Sequence, residues 1–559
     1  MRIPIDITML LSALLRCWAR GLPRSRMSST PFGFPLLGQI LYTERVGSAL
    51  TSNVPVYTFY SSIYFHDLDH ACRRRDDRMV PAFVVHWHLG LERSVGQSLS
   101  FEHLSHSIST SRRRYVVKPH SPTASAETDA VEGVSILRPL KGLDPNIYEN
   151  LETSFLQVYP KFEIIFAVAD EGDQALAVVH ELIAKYPHVD AKVITGTSPV
   201  RFFFPSNKQP GEQVVGVNPK VNNLMKPYYA AKYDILWVLD SNVQTLPDTL
   251  ARSVDALNRP SERRIGLVHH VPVVPTYEIT AEVGTRIEQA FLNTNHAKMY
   301  IALNTLAIDS CVMGKSNVYR RSDVNQLTGT LRPTVLKPSL SPTASEHTPI
   351  GFSVFSKFLA EDNMLASALW HELGLRHDLG SDVAVNSLGS MSFGEYASRR
   401  ARWIRVRKWM TFAATLLEPF SESVFVGVLV SLAVSYLTDG LVRAWIFFPA
   451  HMLSFLAIDL SVRDILIGEP LHGAEWWAFV RAWGMREVMA FPIWLFAMLG
   501  NEVDWRGKKY RILRNGETRR VENSGSRTRI GGRIRDLFSG RSEDMSPLLA
   551  AYPEGLRRN

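Results

Sequence analysis

Short apolar runs alternate with amphipathic segments from Val134 onward, and this alternation predicts the fold. Uninterrupted runs such as VSILRPL from Val134 and FEIIFAVA at residues 162–169 are typical of buried strands. Between them, Ile147, Leu151 and Phe155 recur at i, i+4 and i+8, which places them on one face of a helix. Alternating strands and helices imply an α/β fold with a mostly parallel sheet flanked by helices.

The same reading extends the sheet toward the middle of the chain. Asp144 followed by Pro145 predicts a helix N-cap and first helical residue. Further strands are predicted at 191–196, 234–240 and 265–274, helices at 173–186 and 247–257, and a long amphipathic stretch at 280–306. Turn-forming residues without periodicity predict surface insertions at 197–214 and 328–348.

The composition becomes strongly apolar after Trp409. Three segments, at 424–437, 441–460 and 487–499, carry aromatic and basic residues at their edges. A soluble core could hold such helices, but three in succession favour transmembrane or re-entrant helices. Basic clusters at 399–408 and 506–514 flank them, which fits anchoring at a cytosolic leaflet better than nucleic-acid binding. The net charge of +8 comes without any aromatic–basic module, so we expect no nucleic-acid partner.

These changes divide the chain into four regions. Residues 1–130 are predicted to be poorly ordered or divergent, 131–409 to form the catalytic domain, 410–514 to be membrane-embedded helices, and 515–559 to be a disordered basic tail. The three cysteines, Cys17, Cys72 and Cys311, form no CxxC pair, which argues against a disulfide scaffold or a zinc site.

Four motifs follow one another in the predicted catalytic domain. They are the aspartates of AVADEGD (Asp170), WVLDSN (Asp240) and FLAEDN (Asp362), and RRARW at residues 399–403. Asp170 and Asp240 each end an apolar run, and the carboxyl ends of strands form the ligand crevice of open α/β sheets. Taken singly, each motif could be a helix cap, a turn or a basic helix. In this order, with apolar segments behind them, they indicate a membrane-bound glycosyltransferase that uses a nucleotide-sugar.

Each motif suits one part of such a reaction. The carboxylate of Asp240, followed by Ser and Asn, suits Mg²⁺ or Mn²⁺, although DxN departs from the commoner DxD. Asp362 is the expected general base for an acceptor hydroxyl. Arg399 and Arg402, at i and i+3, share a helix face and could clamp a diphosphate, with Trp403 packing beside the acceptor.

The sequence resembles the ceramide glucosyltransferases, which are inverting GT-A-type enzymes with a D, D, D, (Q/R)xxRW signature. The resemblance covers residues 134–514 and extends beyond the four motifs. It includes RPLKGLDPNIYENLETSF, NPKVNNL, AAKYDILWVLDSN, GLVHHVP, CVMGKSNVYRR and WRGKKYRI. Members usually begin with a hydrophobic anchor before the catalytic domain, whereas residues 1–133 show no clear spanning segment.

The resemblance implies a function and further site residues. It implies transfer of glucose from UDP-glucose to the primary hydroxyl of ceramide, with inversion, by a GT-A-type (Rossmann-like) domain facing the cytosol on a multi-pass Golgi membrane protein. Asp362 would be the proton acceptor. The residues expected to bind the nucleotide-sugar are Asp170, Asp240 (also the cation), Lys220, His269, Cys311, Arg399, Arg402 and Trp403. The alternatives are a processive polysaccharide synthase and an inactive membrane scaffold.

Overall fold

An eight-stranded mixed sheet forms the centre of the protein in the computed structural model, which describes residues 114–196, 215–276, 281–331, 351–505 and 507–521. In chain order its strands are β1 (Val134–Leu140), β2 (Phe162–Val168), β3 (Ala191–Thr195), β4 (Ile235–Leu239), β5 (Val243–Gln244), β6 (Ile265–Val273), β7 (Ser316–Arg320) and β8 (Arg376–Asn386). Across the sheet they lie in the order β3-β2-β1-β4-β7-β6-β8-β5.

Strands β1 to β4 form the parallel half predicted from the apolar runs. Val134 pairs with Phe162 on one side and with Ile235 on the other, so the three strands end together at one edge of the sheet. In the second half, β7 is antiparallel to β4 and β6, while β8 is parallel to β6. The predicted α/β sheet is confirmed, and its parallel half brings the ends of β1, β2 and β4 to one crevice.

Helices cover both faces of the sheet, which explains why the strands are apolar on both sides. These helices are α1 (Ile147–Phe155), α2 (Ala175–Lys185), α3 (Pro219–Ala230), α4 (Thr249–Asn258), α5 (Val283–Phe291), α6 (Ala297–Leu306), α7 (Arg321–Val324), α8 (Glu361–His371) and α9 (Phe393–Arg407). Along β1, Ile136 packs with the α1, α2 and α4 side of the core, and its neighbour Leu137 packs with α3 and α8.

Two predictions near the start of the domain are wrong. Asp144 does not cap α1, because Asn146 takes the N-cap position in a left-handed conformation (φ 53°) that asparagine tolerates. Asp144 instead accepts a hydrogen bond from Ser241 after β4. Residues 121–128 (SPTASAET) belong to the region 1–130 that was predicted to be poorly ordered or divergent, but they contain a 3₁₀ turn at Pro122–Ser125, and the Thr123 hydroxyl donates to Asp255 over 2.8 Å. Residues 1–113, which hold the rest of that predicted region, lie outside the described part of the chain.

The amphipathic stretch predicted at 280–306 is broken into two helices. A π-helical turn, Leu292–His296, joins α5 to α6. Such turns are rare and occur often at functional sites. Asn295 and His296 of this turn line the large cavity described below.

The apolar region forms α10 (Phe412–Leu417), α11 (Ser423–Leu437), α12 (Ala444–Ile467) and α13 (Gly473–Leu499). Within the described residues, α12 is long and apolar enough to cross a membrane, and a second crossing arises if 414–421 and α11, which meet at 66°, count as one bent span. The apolar segment predicted at 487–499 is not a separate helix. It is the second half of α13, whose middle turns bury Arg486 and Glu487.

Helix α13 packs against the catalytic domain instead of standing apart from it. Its Phe479, Ala482 and Trp483 join a core with α5 and α9. Beside this core, Arg486 forms an ion pair of 2.5 Å with Glu422 and a second one with Glu487, which also accepts from the Ser423 hydroxyl. The buried ion-pair network therefore joins α13 to the start of α11.

A small antiparallel sheet follows α13 and extends past the predicted start of the disordered tail at residue 515. It consists of β9 (Glu502–Trp505), β10 (Lys508–Ile512) and β11 (Thr518–Arg520). Its buried Val503, Tyr510 and Ile512 pack with side chains that include Val406 of α9. Residues 522–559 lie outside the described part of the chain.

Both sheets and the candidate site belong to one compact unit of the described residues.

Candidate active site

A cavity of about 1780 Å³ opens where β1, β2, β3 and β4 end. This is the position at which open α/β sheets bind ligands. Seven of the nine predicted site residues line it, namely Lys220, Asp240, Cys311, Asp362, Arg399, Arg402 and Trp403. Asp170 and His269 do not line it.

The carboxylate of Asp240, directly after β4, is held by two lysines. Lys220 Nζ lies 2.8 Å from one oxygen and Lys315 Nζ lies 3.0 Å from the other. Burial raises the pKa of Asp240, but the two ammonium groups outweigh it and lower that pKa to about 2. Asp240 is therefore ionised at every physiological pH.

Lys220 connects Asp240 to the acidic pair at the start of α8. Its first-turn position on α3 is fixed by Asn218, whose side chain caps the helix by accepting from the Lys220 amide over 2.8 Å. The ammonium group also lies 3.1 Å from Glu361 and donates to the Gly314 carbonyl over 3.2 Å. Burial opposes the charge, but the surrounding carboxylates raise the pKa of Lys220 well above its usual value.

Asp362 lies in the first turn of α8 with its carboxylate facing the cavity. One oxygen accepts the Asn363 amide over 2.9 Å. Burial and the neighbouring Glu361 raise the pKa of Asp362 to about 7, against the opposing influence of Lys220. A carboxylate with a pKa near neutrality can take a proton from a hydroxyl and later release it, as a general base must.

The pKa of Asp362 predicts the pH dependence of turnover. We expect kcat to fall as the pH decreases through about 7, because protonated Asp362 cannot accept a proton. Glu361→Gln removes a negative charge that raises this pKa, so the acid limb should move to lower pH. Glu372→Gln, in a buried carboxylate after the end of α8, is the control and should leave the limb in place. Identical limbs in the wild type and Glu361→Gln would contradict the assignment.

Gly314 leaves room for the Asp362 carboxylate. A Cβ atom at this position would overlap with the carboxylate oxygen of Asp362, so the carboxylate would have to rotate away. Gly314→Ala should therefore reduce the transfer rate at least about tenfold, since misplacing a reacting group can cost about 10²-fold, while leaving thermal unfolding nearly unchanged. Gly484→Ala is the matched control, because an added Cβ there meets nothing within 4 Å. Full activity in Gly314→Ala would show that the carboxylate position does not matter.

The RRARW motif lies on α9, which begins with a capping box between Ser392 and Glu395. Arg399 Nε donates to the buried Glu288 of α5 over 2.9 Å, so part of its charge is already compensated. Arg402 lines the cavity one turn further along. Trp403 meets His296 of the π-helical turn edge to face at 6.3 Å. All three α9 residues line the cavity. Arg399 connects α9 to Glu288 of α5, and Trp403 connects it to His296 of the π-helical turn.

His269 and Cys311, both predicted to bind the nucleotide-sugar, differ in position: Cys311 lines the cavity and His269 does not. His269 is fully buried on β6 and makes a 2.5 Å hydrogen bond with the Tyr300 hydroxyl, which accepts the Met313 amide over 2.9 Å. His269 therefore contacts the cavity lining only through Tyr300 among the hydrogen bonds of the described residues. Cys311 lines the cavity, and burial raises the pKa of its thiol to about 11, so the thiol is protonated.

Asp170 is exposed in the turn after β2, where its carboxylate accepts the Gly172 amide over 3.0 Å. It does not cap α2, which begins at Ala175. Its neighbour Ala169 lines the cavity. Asp170 is thus beside the site, and its contact with a nucleotide remains a prediction.

Several cavity residues were not singled out from the sequence. Lys315 binds Asp240, Gly314 adjoins Asp362, and Arg400 lies 3.5 Å above the Phe291 ring. Gly314 and Lys315 are within the CVMGKSNVYRR segment, yet nothing in their local pattern reveals a partner more than forty residues away. Their positions become clear only when β7 pairs with β4.

The residues around Asp240 limit how a divalent cation could bind. Among the described residues, no cluster of three His, Cys, Asp or Glu side chains is arranged to hold a metal ion. Asp240 can supply one carboxylate, which suits Mg²⁺ or Mn²⁺ because these ions take many of their ligands from substrate phosphates and water. A cation at Asp240 would have to displace at least one of the two lysines.

The mostly parallel α/β sheet, with three of the four predicted glycosyltransferase motifs at one cavity, agrees with the class of protein that the comparisons show. The profile of glycosyl transferase family 21 matches residues 100–333 and 350–518, and the chain belongs to this family. The chain is 39% identical over 434 residues to a ceramide glucosyltransferase of Komagataella phaffii, covering 68% of this chain and 82% of that protein. It is 33% identical over 487 residues to a ceramide glucosyltransferase of Candida albicans, covering 70% and 88%.

Solved structures give more distant similarities. A mannosyltransferase from Pyrobaculum calidifontis in complex with GDP-Man and Mn²⁺ aligns with 14% identity and a TM-score of 0.36, covering 73% of this chain and 96% of that chain. Glucosyl-3-phosphoglycerate synthase from Mycobacterium tuberculosis in complex with Mn²⁺, UDP and phosphoglyceric acid aligns with 15% identity and a TM-score of 0.28, covering 49% and 77%.

Proposed function

We propose that this protein transfers glucose from UDP-glucose to the primary hydroxyl of ceramide and forms glucosylceramide. The observation that carries the proposal is the placement of Asp362 beside the Lys220–Asp240 pair in one cavity at the strand ends. The relatives named ceramide glucosyltransferase support the choice of substrates.

The proposed reaction is a single displacement with inversion. Asp362 accepts the proton of the ceramide hydroxyl. At the same time, the oxygen of that hydroxyl attacks the anomeric carbon of glucose. The bond between that carbon and the UDP oxygen breaks on the opposite face, and UDP leaves with the electron pair. Lys220, Lys315 and Arg402 supply positive charge around the cavity for the departing diphosphate.

A divalent cation, Mg²⁺ or Mn²⁺, is part of the proposal. Asp240 would hold it, and when bound it would supply further positive charge to the diphosphate. The ammonium groups of the two lysines at Asp240 already supply part of the positive charge near the diphosphate.

We also propose that the protein is a multi-pass protein of the Golgi membrane with its catalytic domain facing the cytosol. Helix α12 and the bent pair at 414–437 are the segments that support membrane attachment. The basic residues of α9, just before α10, fit the cytosolic side of a bilayer. Localisation of a tagged full-length chain, with protease protection of the tag, tests this arrangement.

The direct test is transfer from labelled UDP-glucose to ceramide in membranes that express the full chain. We expect one labelled lipid that co-migrates with glucosylceramide, with the β-anomeric configuration. A labelled polymer would instead favour a processive polysaccharide synthase. Absence of any product from folded, membrane-bound protein would favour an inactive scaffold or another acceptor.

A further inference from the structure

Helix α6 carries an exposed apolar stripe that the site described above does not use. Its buried face contains Ala297, Tyr300 and Ile301. Leu303 and Leu306, on its other side, are 41% and 43% exposed, and Ile308 in the following turn is 77% exposed. Large apolar side chains rarely remain so exposed next to one another without a binding role.

Part of this stripe faces the cavity that contains Asp362. Met299, Leu303 and Ile308 line the cavity, whereas Leu306 does not. Phe412 of α10, which is 45% exposed, also belongs to the cavity lining. The cavity therefore has apolar side chains from two helices, in addition to the charged groups at the strand ends.

Short connections join the stripe to the catalytic residues. Asn304 of α6 donates to the Cys311 carbonyl over 2.9 Å, and the Tyr300 hydroxyl accepts the Met313 amide. The next residue, Gly314, adjoins Asp362. The loop that follows Ile308 thus leads directly from the apolar stripe to the proposed base.

Helix α6 also packs, through its buried face, against the helix that is apolar enough to cross a membrane, because Tyr300 and Ile301 share a core with Val462 and Leu466 of α12. Lys298 of α6 forms a 2.7 Å ion pair with Asp459 of α12, and its ammonium group lies 4.9 Å above the Phe455 ring. Met299, the next residue, turns from this contact toward the cavity. Because Leu303 and Ile308 are both exposed and part of the cavity lining, a hydrocarbon chain that enters on this side of α6 would contact them before it reaches Asp362.

We infer that Leu303, Ile308 and Phe412 form the entry path along which the hydrocarbon chains of the acceptor lipid reach the cavity. This inference rests on the proposed function, because it takes a long-chain ceramide as the occupant. The apolar side chains would keep the chains out of water while the polar head group moves toward Asp362. The path determines the affinity for the acceptor lipid, whereas the charged groups at the strand ends bind the donor.

The test compares two variants of the full chain in vesicles that contain ceramide. In the first, Leu303→Ser and Ile308→Ser are combined. In the second, Leu306→Ser changes a residue that is about as exposed as Leu303 but does not line the cavity. We expect the first variant to raise the KM for long-chain ceramide about tenfold, with the KM for UDP-glucose unchanged, as expected when binding of one substrate is lost. Leu306→Ser should resemble the wild type.

A short-chain ceramide provides a second readout. Because it presents less hydrocarbon to the path, its KM should rise less than that of the long-chain lipid in the double variant. Equal effects of Leu303→Ser/Ile308→Ser and Leu306→Ser would indicate general contact with the membrane and overturn the inference. Unchanged kinetics, or a raised KM for UDP-glucose, would overturn it as well. An inactive wild type would instead be a failure of the proposed function.

Discussion

Replacing Asp362 with asparagine reduces the transfer rate by about 10²–10⁴-fold, the usual contribution of a general base. Asparagine keeps the shape of the side chain and can still accept the Asn363 amide, but its amide cannot take the proton of an acceptor hydroxyl. UDP binding should persist, because the groups around Asp240 remain in place. A lower transfer rate with unchanged UDP binding would therefore report loss of the base and not loss of the donor site.

Initial rates of glucosylceramide formation and the affinity for UDP check this expectation together. Asp309→Asn is the matched control, because Asp309 also lines the cavity but is largely exposed and pairs with His371. Its rate should stay within about twofold of the wild type, as is usual for a surface substitution. An Asp362→Asn enzyme with more than a tenth of the wild-type rate would mean that another group accepts the proton.

Arg486→Met lowers the free energy of unfolding by about 3–5 kcal/mol, the range found when one partner of a buried ion pair is removed. Arg486 is 2% exposed, and its loss leaves Glu422 and Glu487 buried without their cation. Because Asn295 of the π-helical turn also donates to Glu422 over 3.2 Å, the change should also loosen the cavity wall.

Thermal unfolding in detergent measures this effect. Arg481→Met, an exposed position on the same helix, should leave the unfolding temperature close to that of the wild type. Adding Glu487→Gln to Arg486→Met should restore part of the lost stability, because one unpaired charge is removed. If Arg486→Met unfolds at the wild-type temperature, the buried ion-pair network does not stabilise α13 against the catalytic domain.

Four of the strands, β1, β2, β4 and β6, could be predicted because each of them is buried on both faces. Runs such as Ile235–Leu239 are apolar at every position, and the sheet covers them with helices on both sides. Because ligands bind at the carboxyl ends of the strands in open α/β sheets, Asp240 was then predicted to lie at the crevice. Asp362 lies in the first turn of α8, which starts at Glu361.

The partners of these residues could not be predicted in the same way. Lys315 meets Asp240 only because β7 pairs antiparallel with β4, and no periodic pattern encodes this pairing. The boundary of α13 was missed for a related reason. Arg486 and Glu487 interrupt the apolar run and suggest a helix end, but in the folded protein they compensate each other's charge.

The contact between Gly314 and Asp362 provides a criterion for judging other chains with the same motifs. A related sequence can retain all three aspartates and the RxxRW element and still carry a larger residue at the position aligned with Gly314. In such a chain the third aspartate would be present but displaced, since the missing Cβ is what makes room for it. Counting the four motifs would classify that chain as active, whereas the fifth position, a glycine, predicts that it is not.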